Sequence, residues 1–168
     1  HFGTAEVVFD HFKVDVATSR VEFYEYPAAM PQVESSSLHQ DLYRRDFTIN
    51  AMAIALNSER FGDLIDYFGG RQDLNDGLVR VLYNLSFIED PTRILRAVKF
   101  EQRYGFQLES QTEKFLLEAV RQRVLGRVSN ERIWEEFKYI LNEQRASKML
   151  ARLDELQIWP ALLPYVVY

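Results

Sequence analysis

The sequence predicts an α/β module followed by an all-α array, and three observations carry that division. Up to about residue 85, short alternating or β-branched runs are cut by proline, asparagine and glycine turns. Beyond Ser86 the apolar residues recur at helical spacing. The charge changes at the same place: residues 1 to 85 carry 7 Lys+Arg against 13 Asp+Glu, net -6, and residues 86 to 168 carry 13 against 12, net +1.

The elements follow in order. Gly3 to Phe9, a turn at Asp10-His11, and Phe12 to Thr18 read as a hairpin whose second arm alternates. Val14 and Val16 are expected to face the core, which leaves Lys13, Asp15 and Ala17 on the other face. Asp15 is then either a solvated strand residue or a carboxylate aimed at a site. Tyr26-Pro27 to Ser37, with two prolines and a serine run, is expected to be a loop. From Asp41 to Leu56 the spacing of Leu42, Ile49, Met52 and Leu56 predicts a helix. Leu64 to Phe68 is strand-like and stops at Gly69-Gly70, and Leu78 to Tyr83 is a second such run after Asn75-Asp76-Gly77.

The helices expected beyond Ser86 are Glu89 to Tyr104, Gln111 to Arg123, Asn130 to Asn142 and Ala146 to Leu156. Ser110 and Glu113 have the spacing of a capping box for the second. Arg93, Arg96, Lys99 and Arg103 share one arc of the first, opposite Ile94, Leu95 and Val98. With Arg121, Arg123, Arg127 and Arg132 they form two cationic clusters, each either a solvated face or a surface for a polyanion.

Composition bounds the chemistry. With 168 residues and 47% apolar content the chain can bury a real core. No run is long and apolar enough for a membrane helix. Zero cysteines exclude disulfides, thiolate metal sites and cysteine nucleophiles, which fits a reducing cytoplasm. His1, His11 and His39 have no ligand spacing.

The most informative stretch is Glu89-Asp90-Pro91-Thr92-Arg93-Ile94-Leu95-Arg96. Asp90 and Arg93, three apart on a helix, set a carboxylate acceptor beside a rigid fork of donors. Adenine and cytosine present the reverse pattern, an exocyclic amine beside a ring nitrogen, whereas guanine and uracil place a carbonyl where the carboxylate stands. The same residues also read as an N-cap with proline at the first helical position. A rival start, in which Ser86 caps and Glu89 closes a capping box, frees Asp90.

Four blocks in fixed order now carry a family resemblance: Arg44 to Ala53 (RRDFTINAMA), Asp66 to Asp73 (DYFGGRQD), Glu89 to Phe100 (EDPTRILRAVKF) and Val128 to Phe137 (VSNERIWEEF). The chain resembles the class II tRNA nucleotidyltransferases (CCA-adding and A-adding enzymes) and bacterial poly(A) polymerases. His1 to Ala5 is similar to the stretch after the family's catalytic strand, and Ser35 to Phe68 looks closest to the A-adding or CCA-adding branch.

The resemblance implies an incomplete polymerase-beta-like nucleotidyltransferase head over residues 1–85, a helical neck over 86–145 and the start of a helical body over 146–168. It implies template-independent transfer from ATP and CTP to the 3′ end of tRNA, with Mg²⁺. In the family the 3′ hydroxyl attacks the α-phosphate and pyrophosphate leaves. The family's Gly-Gly turn and Asp-x-Asp metal strand are expected upstream of His1, so this segment alone is expected to be inactive. Poly(A) polymerase activity and non-catalytic RNA binding are the alternatives.

By the same resemblance Asp15 is a supporting carboxylate. Arg45 and Asp46 are the ribose-contacting pair, whose bland alternative is an exposed helical ion pair. Asn50 orients Asp46, Asp90 and Arg93 select the base, and Arg96 reaches the triphosphate. Glu89 is a cap or a brace for Arg93, and Gly69 and Gly70 are a hinge.

Overall fold

The structure is a computed structural model that describes residues 3–162. His1 and Phe2, and the end of the expected body segment after Leu162, lie outside the described residues. The N-terminal part is built from small antiparallel hairpins. Strands β1 (Thr4–Val8) and β2 (Lys13–Ala17) pair as expected, with Glu6 opposite Asp15. The expectation that Val14 and Val16 face a core is overturned. Both are exposed, at 42% and 53%, because no described element covers either face of this hairpin.

The stretch expected to be a loop instead holds β4 (Gln32–Ser35), paired with β3 (Arg20–Phe23). Its serines sit at the strand's end, where Ser37 caps helix α1 (Leu38–Tyr43) by accepting from the Gln40 amide.

The helix expected over Asp41 to Leu56 is also overturned, since α1 ends at Tyr43. Phe47 is extended and bridges Val81, and Thr48–Asn50 form one 3₁₀ turn. Met52–Ile54 then become β5 against β6 (Leu64–Asp66). Local polar competition breaks the helix. Asp46 turns its carboxylate onto the Phe47 amide, and the Thr48 hydroxyl donates to Asp73 at 2.6 Å. Leu56, counted in the helical spacing, is 75% exposed.

Helix α2 (Gly70–Asp76), missed by periodicity, starts at Gly69 in the left-handed region. Asp66 accepts from the amides of Phe68, Gly70 and Arg71 at 3.3, 2.9 and 2.9 Å. Those donors overcome its burial and hold its carboxyl below the usual range. Strand β7 (Leu78–Val79) follows, and a short run further along the chain, β8 (Gln107–Leu108), pairs with it in parallel.

The helical part contains α3 (Ser86–Glu89), α4 (Thr92–Tyr104), α5 (Ser110–Arg121), α6 (Asn130–Leu141), α7 (Ala146–Glu155) and α8 (Trp159–Leu162). The helix expected from Glu89 is thus split at Asp90-Pro91, because proline lacks the amide needed to continue α3. The Ser110 capping box does not form. Glu109 caps α5, its carboxylate accepting from the Thr112 amide at 2.9 Å.

Helix α4 is the central beam. Ile94, Leu95, Ala97 and Val98 are fully buried and join Phe47, Val79, Phe87, Leu116, Ile140, Met149 and Leu153 in one core that spans both halves of the chain. Each large side chain of this kind contributes about 1.5 to 3 kcal/mol on leaving water. The opposite face of α4 carries the cations, and it closes one wall of a cleft.

Candidate functional site

The cleft has a volume of about 510 Å³ and lies between the hairpin-rich part and α4. Glu22, Tyr24, Arg44, Arg45, Asp46, Asn50, Asp90, Arg93, Arg96 and Phe100 line it. The sequence-expected residues Arg45, Asp46, Asn50, Asp90, Arg93 and Arg96 therefore converge on one cavity. Asp15 does not: it lies exposed on β2, outside this lining. Gly69 and Gly70 start α2, also outside it.

At one end stands the Asp90–Arg93 pair, with Arg93 Nε 3.8 Å from Asp90 Oδ2. The capping bonds and the contact to Arg93 are divided between the two oxygens of Asp90. Oδ1 accepts from the Thr92 amide at 3.2 Å, the Thr92 hydroxyl at 2.7 Å and Arg132 Nη2 at 2.8 Å. Among the described residues Oδ2 has only the longer contact to Arg93. The rival start fails, because Ser86 caps nothing and accepts from Arg93 instead.

Arg93 is 4% exposed and heavily held. Nη1 donates to Ser86 Oγ at 2.7 Å and to the Tyr83 hydroxyl at 3.3 Å, and Nη2 donates to the Arg44 carbonyl at 2.7 Å. A guanidinium has five N–H donors, so one Nη2 hydrogen and the Nε hydrogen are left over among the described residues, Nε being the nitrogen 3.8 Å from Asp90 Oδ2. Glu89 braces this arrangement at one remove, accepting from the Tyr83 hydroxyl at 2.6 Å.

Burial raises the Tyr83 phenol well above its usual range, against Arg93 and with Glu89. Burial and then Glu22 do the same for Tyr24. Both stay neutral hydroxyls at physiological pH. Burial opposes the charge on Arg93, yet the surrounding Tyr83 and Asp90 hold it protonated.

Further along the cleft Asp46 is fully occupied. Its Oδ1 accepts from the Phe47 amide at 2.9 Å and Asn50 Nδ2 at 3.0 Å, so Asn50 is bonded to this carboxylate. Its Oδ2 accepts from Arg96 Nη2 at 2.6 Å and Nε at 2.9 Å. Arg45 and Asp46 are not an ion pair with each other. Arg45 instead reaches Asp41 at 3.4 Å from an exposed position.

Charges of the cationic arc of α4 meet carboxylates: Arg96 and Lys99 meet Glu136 from buried or half-buried positions, and Arg103 meets Glu143 from an exposed one. Arg132 is likewise turned inward, while Arg121, Arg123 and Arg127 remain exposed. Sequence reading missed Glu22, Tyr24, Arg44, Tyr83, Phe100 and Glu136. Arg44, Phe100 and Glu136 lie inside the RRDFTINAMA, EDPTRILRAVKF and VSNERIWEEF blocks and so carried a signal, whereas Glu22, Tyr24 and Tyr83 carried none.

The carboxylates of the cleft do not fit a metal. Among the described residues no three Asp, Glu or His side chains gather as ligands, and Glu22, Asp46 and Asp90 are each committed to arginines.

Two family models match: the poly A polymerase head domain over residues 1–80, and the probable RNA and SrmB-binding site of polymerase A over residues 105–168. An A-adding tRNA nucleotidyltransferase of Geobacter sulfurreducens is 50% identical over 99% of this chain and 19% of its own length. One of Aquifex aeolicus is 50% identical over 89% of this chain and 18% of its own length.

Among solved structures, a CCA-adding enzyme in an apo form superposes with a TM-score of 0.90 at 43% identity, over 99% of this chain and 42% of that one. Complexes of CCA-adding enzymes with ATP and with CTP, and a Thermotoga maritima enzyme with tRNA, superpose at 0.88, 0.87 and 0.85, each at 43% identity over 99% of this chain and 37% of theirs. The fold is that of a nucleotidyltransferase head with attached helices. The chain belongs to the class II tRNA nucleotidyltransferase and bacterial poly(A) polymerase family. It spans less than half the length of each of these relatives and solved structures.

Proposed function

We propose that this chain is the nucleotide-selecting part of an enzyme that adds ATP-derived, and CTP-derived, nucleotides to the 3′ end of tRNA. One observation carries the reading: among the described residues a carboxylate oxygen of the cleft-lining Asp90, Oδ2, accepts no hydrogen bond, and it lies 3.8 Å from the unbonded Nε of a buried, immobilised Arg93. That pair complements the amine and ring nitrogen of adenine or cytosine. Relatives named as A-adding enzymes, and similar structures holding ATP, CTP and tRNA, support the substrate class.

In this reading Arg45, Asp46 and Asn50 form the ribose end, Arg96 lies toward the triphosphate, and Gly69-Gly70 is the hinge. Residues 1–85 are head, 86–145 neck and 146–168 the start of the body. Mg²⁺ is the family's expected cofactor, and metal ions in such enzymes neutralise charge on the transferring phosphoryl group. The carboxylates of the cleft do not form its site, and Asp15 is at most a supporting group. No described helix is long and apolar enough to cross a membrane, and the cytoplasm is the proposed compartment.

The test is extension of tRNAs ending before, within and after CC by the full-length protein, with each NTP alone. Incorporation of A onto tRNA ending in CC is expected. Long A tracts on unstructured RNA identify a poly(A) polymerase instead. RNA binding without incorporation identifies a scaffold.

A further inference from the structure

Asp90 is the junction of three separate segments, and Arg132 of α6 ties them. Arg132 Nη2 donates to Asp90 Oδ1 at 2.8 Å, and Nη1 donates to the Ala28 carbonyl at 3.4 Å. Ala28 in turn donates its amide to the Glu89 carbonyl at 3.1 Å. Arg132 therefore bridges the loop before β4 to the α3–α4 junction from the far side of the cleft. It does not line the cleft, but borders a second hollow with Glu135 and Glu136.

The aspartate χ2 torsion is broad and roughly two-fold, so it does not by itself fix which oxygen faces the cleft. Here the two oxygens are chemically distinct, because among the described residues three donors hydrogen-bond Oδ1 and none hydrogen-bonds Oδ2. Thr92 supplies two of the three from the same turn, and these move with the helix start. Arg132 supplies the only donor to Asp90 from a distant element among the described residues, 42 positions away in sequence. Without it Asp90 is free to turn onto the Arg93 Nε hydrogen, which lies 3.8 Å from Oδ2 and makes no hydrogen bond among the described residues, so that the carboxylate and that donor satisfy each other instead of a base.

We infer that Arg132 is a positioning residue for base selection: it anchors Asp90 through Oδ1 so that Oδ2 faces the nucleotide. This rests on the proposed base-reading role of Asp90. A merely structural ion pair across the same interface predicts loss of stability without loss of base preference.

The experiment measures kcat and KM for single additions of ATP, CTP, GTP and UTP by the full-length protein carrying Arg132→Gln, Arg132→Lys, Asp90→Ala, or Asp90→Ala with Arg132→Gln, beside thermal melts of each. Arg132→Gln is expected to lower the preference for ATP over GTP by roughly tenfold, as coupled neighbours do. Arg132→Lys, which keeps charge but not the fork, is expected to fall between. In the Asp90→Ala background Arg132→Gln should change the preference no further.

Equal losses for all four nucleotides, tracking the melting temperature, overturn the inference while leaving the base-reading proposal intact if Asp90→Ala still relaxes selectivity. If Asp90→Ala itself leaves selectivity unchanged, both fall. Should Arg132→Gln fail to fold, the lysine variant decides by the same criterion.

Discussion

Asp46 and Arg96, 50 positions apart, form a two-pronged ion pair across the cleft, with Arg96 Nη2 and Nε at 2.6 and 2.9 Å from one carboxylate oxygen. With Asn50 and the Phe47 amide on the other oxygen, Asp46 holds four donors. A carboxylate has about four acceptor positions. It can take a ribose hydroxyl only by releasing one of these partners, and Arg96 is the partner whose departure also frees a cation.

This separates Arg45 from Asp46 as tests of ribose reading. Arg45→Ala removes an exposed side chain with two 3.4 Å contacts, so stability should hardly change. Losing one sugar contact costs about 0.5 to 1.5 kcal/mol, which predicts up to about a tenfold fall in NTP-over-dNTP preference. Asp46→Ala should relax the same preference but also lose on the order of 1 to 3 kcal/mol of stability, since Arg96 is left with Glu136 at 3.5 Å. Unchanged sugar preference in both variants, measured by single additions of ATP and dATP, removes the ribose assignment.

The two glycines of the DYFGGRQD block should behave differently. A β-carbon at Gly70 would stand 2.2 Å from the Thr48 carbonyl oxygen, a backbone atom that cannot step aside. At Gly69 nothing lies within 4 Å, but φ is +76°, a left-handed conformation that costs an ordinary residue about 1 to 2 kcal/mol. Gly70→Ala is therefore expected to lower the melting temperature more than Gly69→Ala. The reverse order would mean that the α2–Thr48 approach relaxes easily.

Asp66 gives a pH dependence with a definite sign. Backbone amides at the start of α2 hold its carboxyl below the usual range, so the folded pKa lies under the unfolded value of about 3.9. Its contribution to stability is complete above that unfolded value and is lost as pH falls through the folded one. Asp41 and Glu109 are shifted the same way and act in the same window. Asp66→Asn should be less stable than the parent at pH 7, and the two should converge below about pH 4. A constant difference across that range, in urea melts, assigns the loss to packing instead.

The helical half was the more legible in sequence because α4 to α7 bury one continuous stripe each, a 3.6-residue signal that needs no knowledge of neighbours. The failed helix and the unseen partners of the cations share one cause. Leu42 to Leu56 has helical spacing, yet Asp46, Thr48 and Asn50 bond to partners on the backbone, α2 and α4, and these tertiary bonds outweigh a weak local pattern. The cationic arc of α4 was visible, whereas its carboxylate partners on α6 lie about 40 positions away and leave no periodic trace. For the cleft, local spacing paired Asp90 with Arg93, and block resemblance supplied Arg45, Asp46, Asn50 and Arg96. Glu22, Tyr24 and Tyr83 entered through topology alone.

Asp90→Asn distinguishes capping from base reading within one residue. Asparagine caps about as well as aspartate, and its carbonyl oxygen can keep the Thr92 and Arg132 bonds now made by Oδ1. The amide nitrogen then replaces Oδ2, turning the cleft-facing acceptor into a donor. A donor there meets the amine of adenine or cytosine badly and the carbonyl of guanine or uracil well. The cap itself is kept, so any loss of stability reports the missing charge opposite Arg132 and Arg93 rather than a lost cap. Preference for ATP and CTP should fall by ten- to a hundredfold or more, as about 1 to 3 kcal/mol of discrimination is lost, with GTP and UTP gaining. Relative incorporation of the four nucleotides, measured beside thermal melts, decides the matter. An asparagine variant that keeps both its stability and its nucleotide preference leaves Asp90 as a helix cap and nothing more.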